Sequence, residues 1–180
     1  MSISLIVAAG LLLLVTYFFN SLISLKTRAQ GALADIDVQL KKRHDLIPNL
    51  VEVVKGYSKF ERETLEKIVS LRNQAQGASG LSEKAGKEEA LGKALGRLIA
   101  VAENYPALKA NEQYLSLQTN LVAVENDLEH ARRYYNAVVR DFNTLSLSFP
   151  QNLVAALFQF KSLEFFGAEE KDRPPVEVKL

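Results

Sequence analysis

Two histidines are the side chains of this chain best suited to acid–base chemistry near neutral pH. His44 is followed directly by Asp45 and preceded by three basic residues, 41–43, and a carboxylate can orient an imidazole for proton transfer. Adjacent residues on a helix point about 100° apart, however, so the pair makes a poor dyad and we expect both side chains on a helix surface. His130 lies in a charged stretch, 129–133, that is typical of a solvated helix face. Two histidines without a cysteine fall short of the ligands that a zinc site needs, so we predict no metal, no cofactor and no enzymatic activity.

Charged residues at the expected seams between helices point to a structural role instead. Arg43 and Glu61 occupy heptad positions where apolar residues would otherwise stand. Glu125 and Arg132 lie one heptad apart. Across a bundle they would meet Arg43 or Asp37 in a buried polar network that fixes helix register at some cost in stability. The alternative is ordinary surface pairing, worth less than about 1 kcal/mol for each pair, and the sequence leaves both open.

Seven-residue repeats predict the long helices that would position these side chains. From Leu33 to Ala75, most positions of two interleaved heptad series are apolar, which is typical of a helix in a coiled-coil-like bundle. This first helix could extend from the N-terminus to residue 76. Pro48 lacks a backbone N–H and clashes with the carbonyl of His44, which predicts a kink unless Asp45 restarts the helix as an N-cap.

Three further helices are predicted after a Gly- and Ser-rich connector at 76–82. The second helix, 83–104, contains three glycines and should be the least rigid. A reversal at 104–106, with Asn104 as a cap, opens the third helix, which Pro150 ends. Its seam is entirely apolar or aromatic: Tyr114, Leu121, Leu128, Tyr135, Phe142 and Phe149, interleaved with Leu117, Val124, Ala131, Val138 and Leu145. Residues 151–166 predict a shorter fourth helix.

The segment 3–19 is uncharged and strongly apolar, and with the weakly polar residues 20–25 it approaches the roughly 20 residues that a bilayer core requires. Only two residues precede it and no Ala-x-Ala pattern follows it, so we predict an uncleaved transmembrane anchor. The basic residues nearest to it lie on its carboxyl side, beginning with Lys26 and Arg28. The positive-inside rule therefore places the N-terminus outside and the body in the cytoplasm.

Composition excludes several partners. Lys and Arg number 22 and Asp and Glu 21, so the net charge of +1 lacks the basic excess that binding to nucleic acid normally requires. The chain has no cysteine, and the anchor must therefore act without lipidation of a thiol. We expect the lipid bilayer as a partner and no nucleic acid.

The C-terminal tail, 167–180, is polar, then contains Pro-Pro, then alternates. Val176, Val178 and Leu180 would share one face of an extended chain and could pair with the edge of a sheet in another protein. The other interpretation is a disordered chain end.

The run 35–57, DIDVQLKKRHDLIPNLVEVVKGY, closely resembles the signature of the LemA family. The second half of the chain continues the resemblance at Tyr105-Pro106, Leu108 to Asn111, Leu117-Gln118, Glu125-Asn126, Ala131-Arg132, Tyr135-Asn136 and Phe149-Pro150. The resemblance covers about residues 20 to 166. It implies a membrane-tethered antiparallel bundle of long helices with no established enzymatic activity. Some relatives are linked to shaping or organising bacterial membranes. Others carry a lipoprotein-type cysteine that implies export, which leaves the periplasmic side as an alternative.

We therefore predict an all-α protein of the bacterial inner membrane. A transmembrane anchor, 1–25, continues into an elongated antiparallel bundle, 26–166, of three long helices and one short helix, followed by the tail, 167–180. By analogy the function is that of a self-associating homo-oligomeric scaffold that organises membrane proteins or the membrane itself. The alternative is an adaptor or regulatory subunit of a membrane protease or sensor that uses the tail.

Overall fold

A computed structural model describes residues 2–56 and 62–167 of the chain. All the regular secondary structure within these residues is helical, which confirms the predicted all-α fold. The helices are α1 (Ser2–Lys55), α2 (Arg62–Gln76), α3 (Leu81–Ala102), α4 (Pro106–Lys109), α5 (Glu112–Leu147) and α6 (Gln151–Leu157). Glu61 and the tail residues Val176, Val178 and Leu180 lie outside the described residues.

Helix α1 is continuous through Pro48 and ends at Lys55, so the predicted continuation to residue 76 is wrong. At its end the N–H of Gly56 bonds to the carbonyl of Val53 at 3.2 Å, a tighter i to i−3 bond than the α-helical one. A Cβ atom at Gly56 would lie 3.3 Å from that carbonyl oxygen, so glycine suits this close turn. The heptad pattern resumes in α2 because both helices bury a face, not because they are one helix.

The chain divides into two compact units, and α1 and α5 each contribute to both. The described part of the first unit is 2–36 with 130–165, and that of the second unit is 37–56, 62–129 and 166–167.

The second unit is built on one apolar core to which α1 through α5 all contribute. Its buried residues are Ile47, Leu50, Val51, Val54, Leu65, Ile68, Ala75, Leu91, Leu95, Leu98, Ala102, Leu108, Tyr114 and Leu121. Helices α2 and α3 form a hairpin whose turn requires Gly80 at a φ of 87°. Asn111, rather than the predicted Asn104, caps the long α5, because its Oδ1 accepts the N–H of Tyr114 at 2.9 Å.

The first unit has a smaller core in which Leu22 of α1 meets Phe142 of α5 and Val154 and Ala155 of α6. The predicted fourth helix, 151–166, is wrong at its C-terminal end, since α6 stops at Leu157. Gln159 takes a left-handed φ of 55°, and the N–H of Phe160 bonds to the carbonyl of Ala155 at 2.9 Å, which is the 6→1 bond of a Schellman motif.

The segment after α6 lies along α5 and is held by side chain to backbone hydrogen bonds. The amide of Asn143 donates to the carbonyl of Leu163 at 2.9 Å and accepts its N–H at 2.8 Å. The hydroxyl of Tyr135 donates to the carbonyl of Glu164 at 2.8 Å. Burial and the nearby Glu164 carboxylate raise the pKa of Tyr135, so the phenol remains a donor across the physiological range.

The α5 seam is confirmed over most of its length. Its first-series members Tyr114, Leu121, Leu128, Tyr135 and Phe142 are buried. Phe149 is not, since 79 % of it is exposed beyond the end of α5.

Candidate functional site

A buried charged cluster joins α1, α3 and α5 in the second unit, and it comprises Arg43, His44, Glu88 and Glu125. Arg43 is 1 % exposed and Glu88 is fully buried. The Nη2 atom of Arg43 donates to the Glu88 carboxylate and, at 3.1 Å, to the Glu88 backbone carbonyl. Its Nη1 atom donates to Oε1 of Glu125 at 2.8 Å. A guanidinium removed from water in this way requires paired charges, and one Arg43 side chain therefore couples α1 to both α3 and α5.

His44 supplies a further contact to Glu88, with its Nε2 atom 2.9 Å from Oε1. The two atoms are within hydrogen-bond distance, although the contact is not aligned as a linear hydrogen bond. The expectation that His44 lies on the helix surface is wrong, because it is 7 % exposed. Its position follows from the helical period: Leu40 and Ile47 are buried on α1, and Arg43 and His44 lie between them on the same face.

The protonation of Glu88 is set by opposing effects. Burial raises its pKa, but the contact with His44 and the positive charge of Arg43 together outweigh burial and hold the pKa below its ordinary value of 4.5. Glu88 is therefore ionised at neutral pH, and the cluster is a buried ion pair rather than a set of neutral hydrogen bonds.

A glycine of α3 lies beside the guanidinium. Gly92 follows Glu88 by one helical turn, and a Cβ atom there would lie 3.4 Å from Nη1 of Arg43, which is van der Waals contact. An alanine would therefore fit at this position without displacing the cluster.

Pro48 gives α2 a way to bond to the backbone of α1. Because proline has no N–H, the carbonyl of His44 lacks the partner that a helix would normally provide four residues later. The Nε atom of Arg72, on α2, donates to this carbonyl at 2.8 Å. Pro48 thereby releases an acceptor that a neighbouring helix uses.

This arrangement predicts a coupling between Pro48 and Arg72. Replacing Arg72 with methionine should lower the free energy of unfolding by about 1–3 kcal/mol, because the His44 carbonyl loses its donor. In a Pro48→Ala background the restored N–H can bond to that carbonyl, so the same change should cost clearly less. Urea denaturation of the four proteins measures the coupling.

Arg62→Met is the matched control on α2, since the Arg62 side chain is 90 % exposed and pairs with Glu66 on the surface. It should change the free energy of unfolding by less than about 1 kcal/mol in either background. An Arg72→Met cost that is the same with and without Pro48 would refute the coupling.

Asp37 and Arg132, two further members of the predicted network, lie outside this cluster. Asp37, 51 % exposed in its side chain, pairs with Lys84 at 2.5 Å on the surface of the second unit. Arg132 lies on α5, partly buried, in the first unit. Of the predicted set, Arg43 and Glu125 are in direct contact.

Sequence reasoning missed Glu88, yet its position carried a signal. The buried positions of α3 are Ala85, Glu88, Leu91, Leu95, Leu98 and Ala102, which recur every three or four residues. Glu88 therefore stands in the apolar stripe of its helix, as Arg43 does in α1, and two opposite charges in two facing stripes indicate a buried pair.

Arg43 and Glu88 are closed to solvent, and the contacts of the charged cluster join three helices to one another. Elsewhere in residues 2–56 and 62–167, the His, Asp and Glu side chains form no group of three that could hold a metal ion.

The second candidate functional feature is an exposed surface, the apolar run of α1 at residues 3–17. Its large side chains are strongly exposed, including Ile3 at 80 %, Leu13 at 71 % and Tyr17 at 69 %. In the described part of the chain, α1 is the one helix long and apolar enough to cross a membrane, by length and composition, and nothing covers its most apolar window. Soluble proteins rarely expose so large a contiguous apolar surface.

Fold and surfaces together define the class: an all-α protein with a helical core and one N-terminal helix able to cross a membrane. The chain belongs to the LemA family, whose model it matches over residues 32–180. It is similar to the magnetosome protein MamQ of Magnetospirillum gryphiswaldense, 24 % identical over 88 % of this chain and 68 % of that protein. It is also similar to protein LemA of Metamycoplasma hominis, 27 % identical over 88 % of this chain and 73 % of the relative.

Proposed function

We propose that this protein is a non-enzymatic, membrane-anchored scaffold that self-associates and organises membrane proteins or the membrane itself. The observation that carries the proposal is the uncovered apolar run of α1, residues 3–17, which continues without a break into a helix of the folded body. Lipid would cover this surface, and each large side chain moved out of water would contribute about 1.5–3 kcal/mol.

Charge supports an orientation for the anchor. Lys26 and Arg28 follow the apolar run. Because basic residues that flank a membrane helix are preferentially kept on the cytoplasmic side, the positive-inside rule favours a cytoplasmic body at the bacterial inner membrane.

A feature of α5 supports self-association. Leu115 and Val122 are seven residues apart, so they share one side of the helix, and they are 43 % and 47 % exposed. Apolar side chains at heptad spacing on an outer face fit packing against the same helix of a second copy. The names of the relatives, protein LemA and magnetosome protein MamQ, designate no reaction.

Cysteine crosslinking in native membranes tests the proposal cleanly, because the chain has no cysteine of its own. Single Leu115→Cys and Val122→Cys variants at ordinary expression should form covalent dimers with a short bismaleimide reagent. Lys93→Cys, on the exposed surface of α3, is the control and should remain monomeric. Monomer bands alone at both α5 positions, together with a monomeric mass in detergent, would overturn self-association.

A further inference from the structure

A surface at the corner between α5 and α6 exposes several large apolar side chains. We name it the apolar corner, residues 147–158, and it belongs to the first unit. Its exposed side chains are Leu147 at 73 %, Phe149 at 79 %, Leu153 at 62 %, Leu157 at 70 % and Phe158 at 47 %.

The sequence around the corner has no charge. Between Asp141 and Lys161 every residue is uncharged. A loop that faced only water would be expected to carry charged residues at these exposed positions. The same is expected of a loop that faced the polar rim of a protein partner.

The corner packs against the end of the exposed run of α1. The ring centroid of Phe158 is 4.7 Å from that of Phe19, and the ring of Phe160 is 5.8 Å from it. Just beyond, Nζ of Lys26 lies 5.9 Å from the centre of the Phe160 ring. An apolar surface followed by a lysine beside an aromatic ring is the pattern of a membrane interface.

The thickness of a bilayer then fixes the depth of the corner. Residues 3–17 extend about 22 Å along a helix, whereas the hydrocarbon core is about 30 Å thick. The span must therefore continue through the next turn or more of α1, and there Phe19 and Leu22 are covered by the corner. Whatever covers them lies at the depth of the membrane boundary.

We propose that the apolar corner inserts Phe149, Leu153 and Leu157 into the membrane leaflet at the carboxyl end of the α1 anchor. The corner would form an interfacial wedge beside the anchor. The proposal rests on the membrane anchoring proposed above. Its occupant is lipid, because the corner continues the surface of α1 that lipid would cover. Backbone groups at the corner are compatible with the interfacial region, since α6 and its Schellman motif satisfy several of them internally.

Depth-dependent fluorescence quenching tests the wedge on the full-length protein. Leu153→Cys and Leu157→Cys variants are each labelled with an environment-sensitive fluorophore. The labelled proteins are reconstituted in phosphatidylcholine and phosphatidylglycerol vesicles that contain nitroxide lipids. At both sites the fluorescence emission should shift to the blue and be quenched most by a nitroxide close to the headgroup. A label at Leu12→Cys, within the anchor, should be quenched most by a nitroxide deep in the acyl chains.

A matched control lies in the same unit. The control is Arg133→Cys, because Arg133 is exposed on α5, roughly 21 Å along the helix from Leu147. A label on this cysteine should remain accessible to aqueous iodide. Quenching at Leu12 without quenching at Leu153 and Leu157 would overturn the wedge while leaving the anchor intact. Labels at the corner shielded from both lipid nitroxides and iodide would mean that a protein or a second copy covers the corner, which also overturns it. Absence of quenching at Leu12 would instead refute the anchor.

Discussion

Replacing Glu88 with alanine is expected to lower the free energy of unfolding by about 3–5 kcal/mol, because the buried Arg43 guanidinium loses its principal partner. Arg43 is 1 % exposed and cannot turn to water. Its remaining partner, Glu125, is 38 % exposed in its side chain and neutralises it only from the edge of the cluster. For a domain of this size the loss corresponds to a fall in Tm of about 10 °C, measured by circular dichroism on the protein in detergent.

The adjacent residue provides the control. Glu89 lies next to Glu88 on α3, but its side chain is 61 % exposed and pairs with Lys93 one turn away. Glu89→Ala should change the free energy of unfolding by less than about 1 kcal/mol. Equal, small losses for the two alanine variants would show that the cluster does not hold the second unit together.

A double variant separates the pair from the penalty of an isolated charge. Arg43→Leu alone leaves the Glu88 carboxylate buried with only His44 beside it, and Glu88→Leu alone leaves Arg43 similarly stranded. In Arg43→Leu/Glu88→Leu neither charge remains. We therefore expect the double variant to be clearly more stable than the sum of the two single losses implies.

Acid should weaken the same cluster. Since the pKa of folded Glu88 is below 4.5, its ionised form contributes stability that is fully present above about pH 4.5 and is lost as the pH falls through the lower, folded value. The Tm of the unmodified protein should thus decline more steeply than that of Glu88→Gln between about pH 5 and pH 3. Parallel pH profiles would contradict the ionised state assigned to Glu88.

Introducing arginine into the apolar run of α1 is expected to release the protein from membranes. Leu11 and Leu14 are 60 % and 47 % exposed and lie one turn apart, near the middle of the run. An arginine at the centre of a membrane helix costs about 2.5–3.5 kcal/mol, so Leu11→Arg should weaken insertion by about a hundredfold, and Leu11→Arg/Leu14→Arg by more. The measurement is the fraction that remains in the membrane pellet after alkaline carbonate extraction.

Leu11→Ala controls for the loss of leucine without the charge, and it should stay in the pellet like the unmodified protein. Carbonate removes proteins held only at the surface, so any contribution of the apolar corner does not mask the result. Retention of the double arginine variant at the level of the control would refute the transmembrane anchor.

The helices of this protein could be predicted from sequence wherever a long, regular pattern determined them. The α5 seam from Tyr114 to Phe142 is buried as its heptads indicated, because a helix with one apolar stripe is stable only when that stripe is covered. The ends of helices were predicted less well. The end of α1 at Lys55 and the end of α6 at Leu157 depend on a few hydrogen bonds and backbone angles that leave periodicity unchanged.

The sequence by itself determined the all-α fold and the apolar N-terminal helix, since both follow from the spacing of residue types along one chain. It also suggested Arg43 as a member of a buried polar network, with surface pairing as the alternative. Only the tertiary structure decided that Glu88 is the main partner of Arg43, that His44 is buried beside it, and that Arg72 uses the carbonyl released by Pro48. These partners lie from 28 to 45 residues apart in sequence, and their meeting depends on how the helices pack. A repeat fixes which face of a helix is covered, but only packing fixes which charge lies opposite.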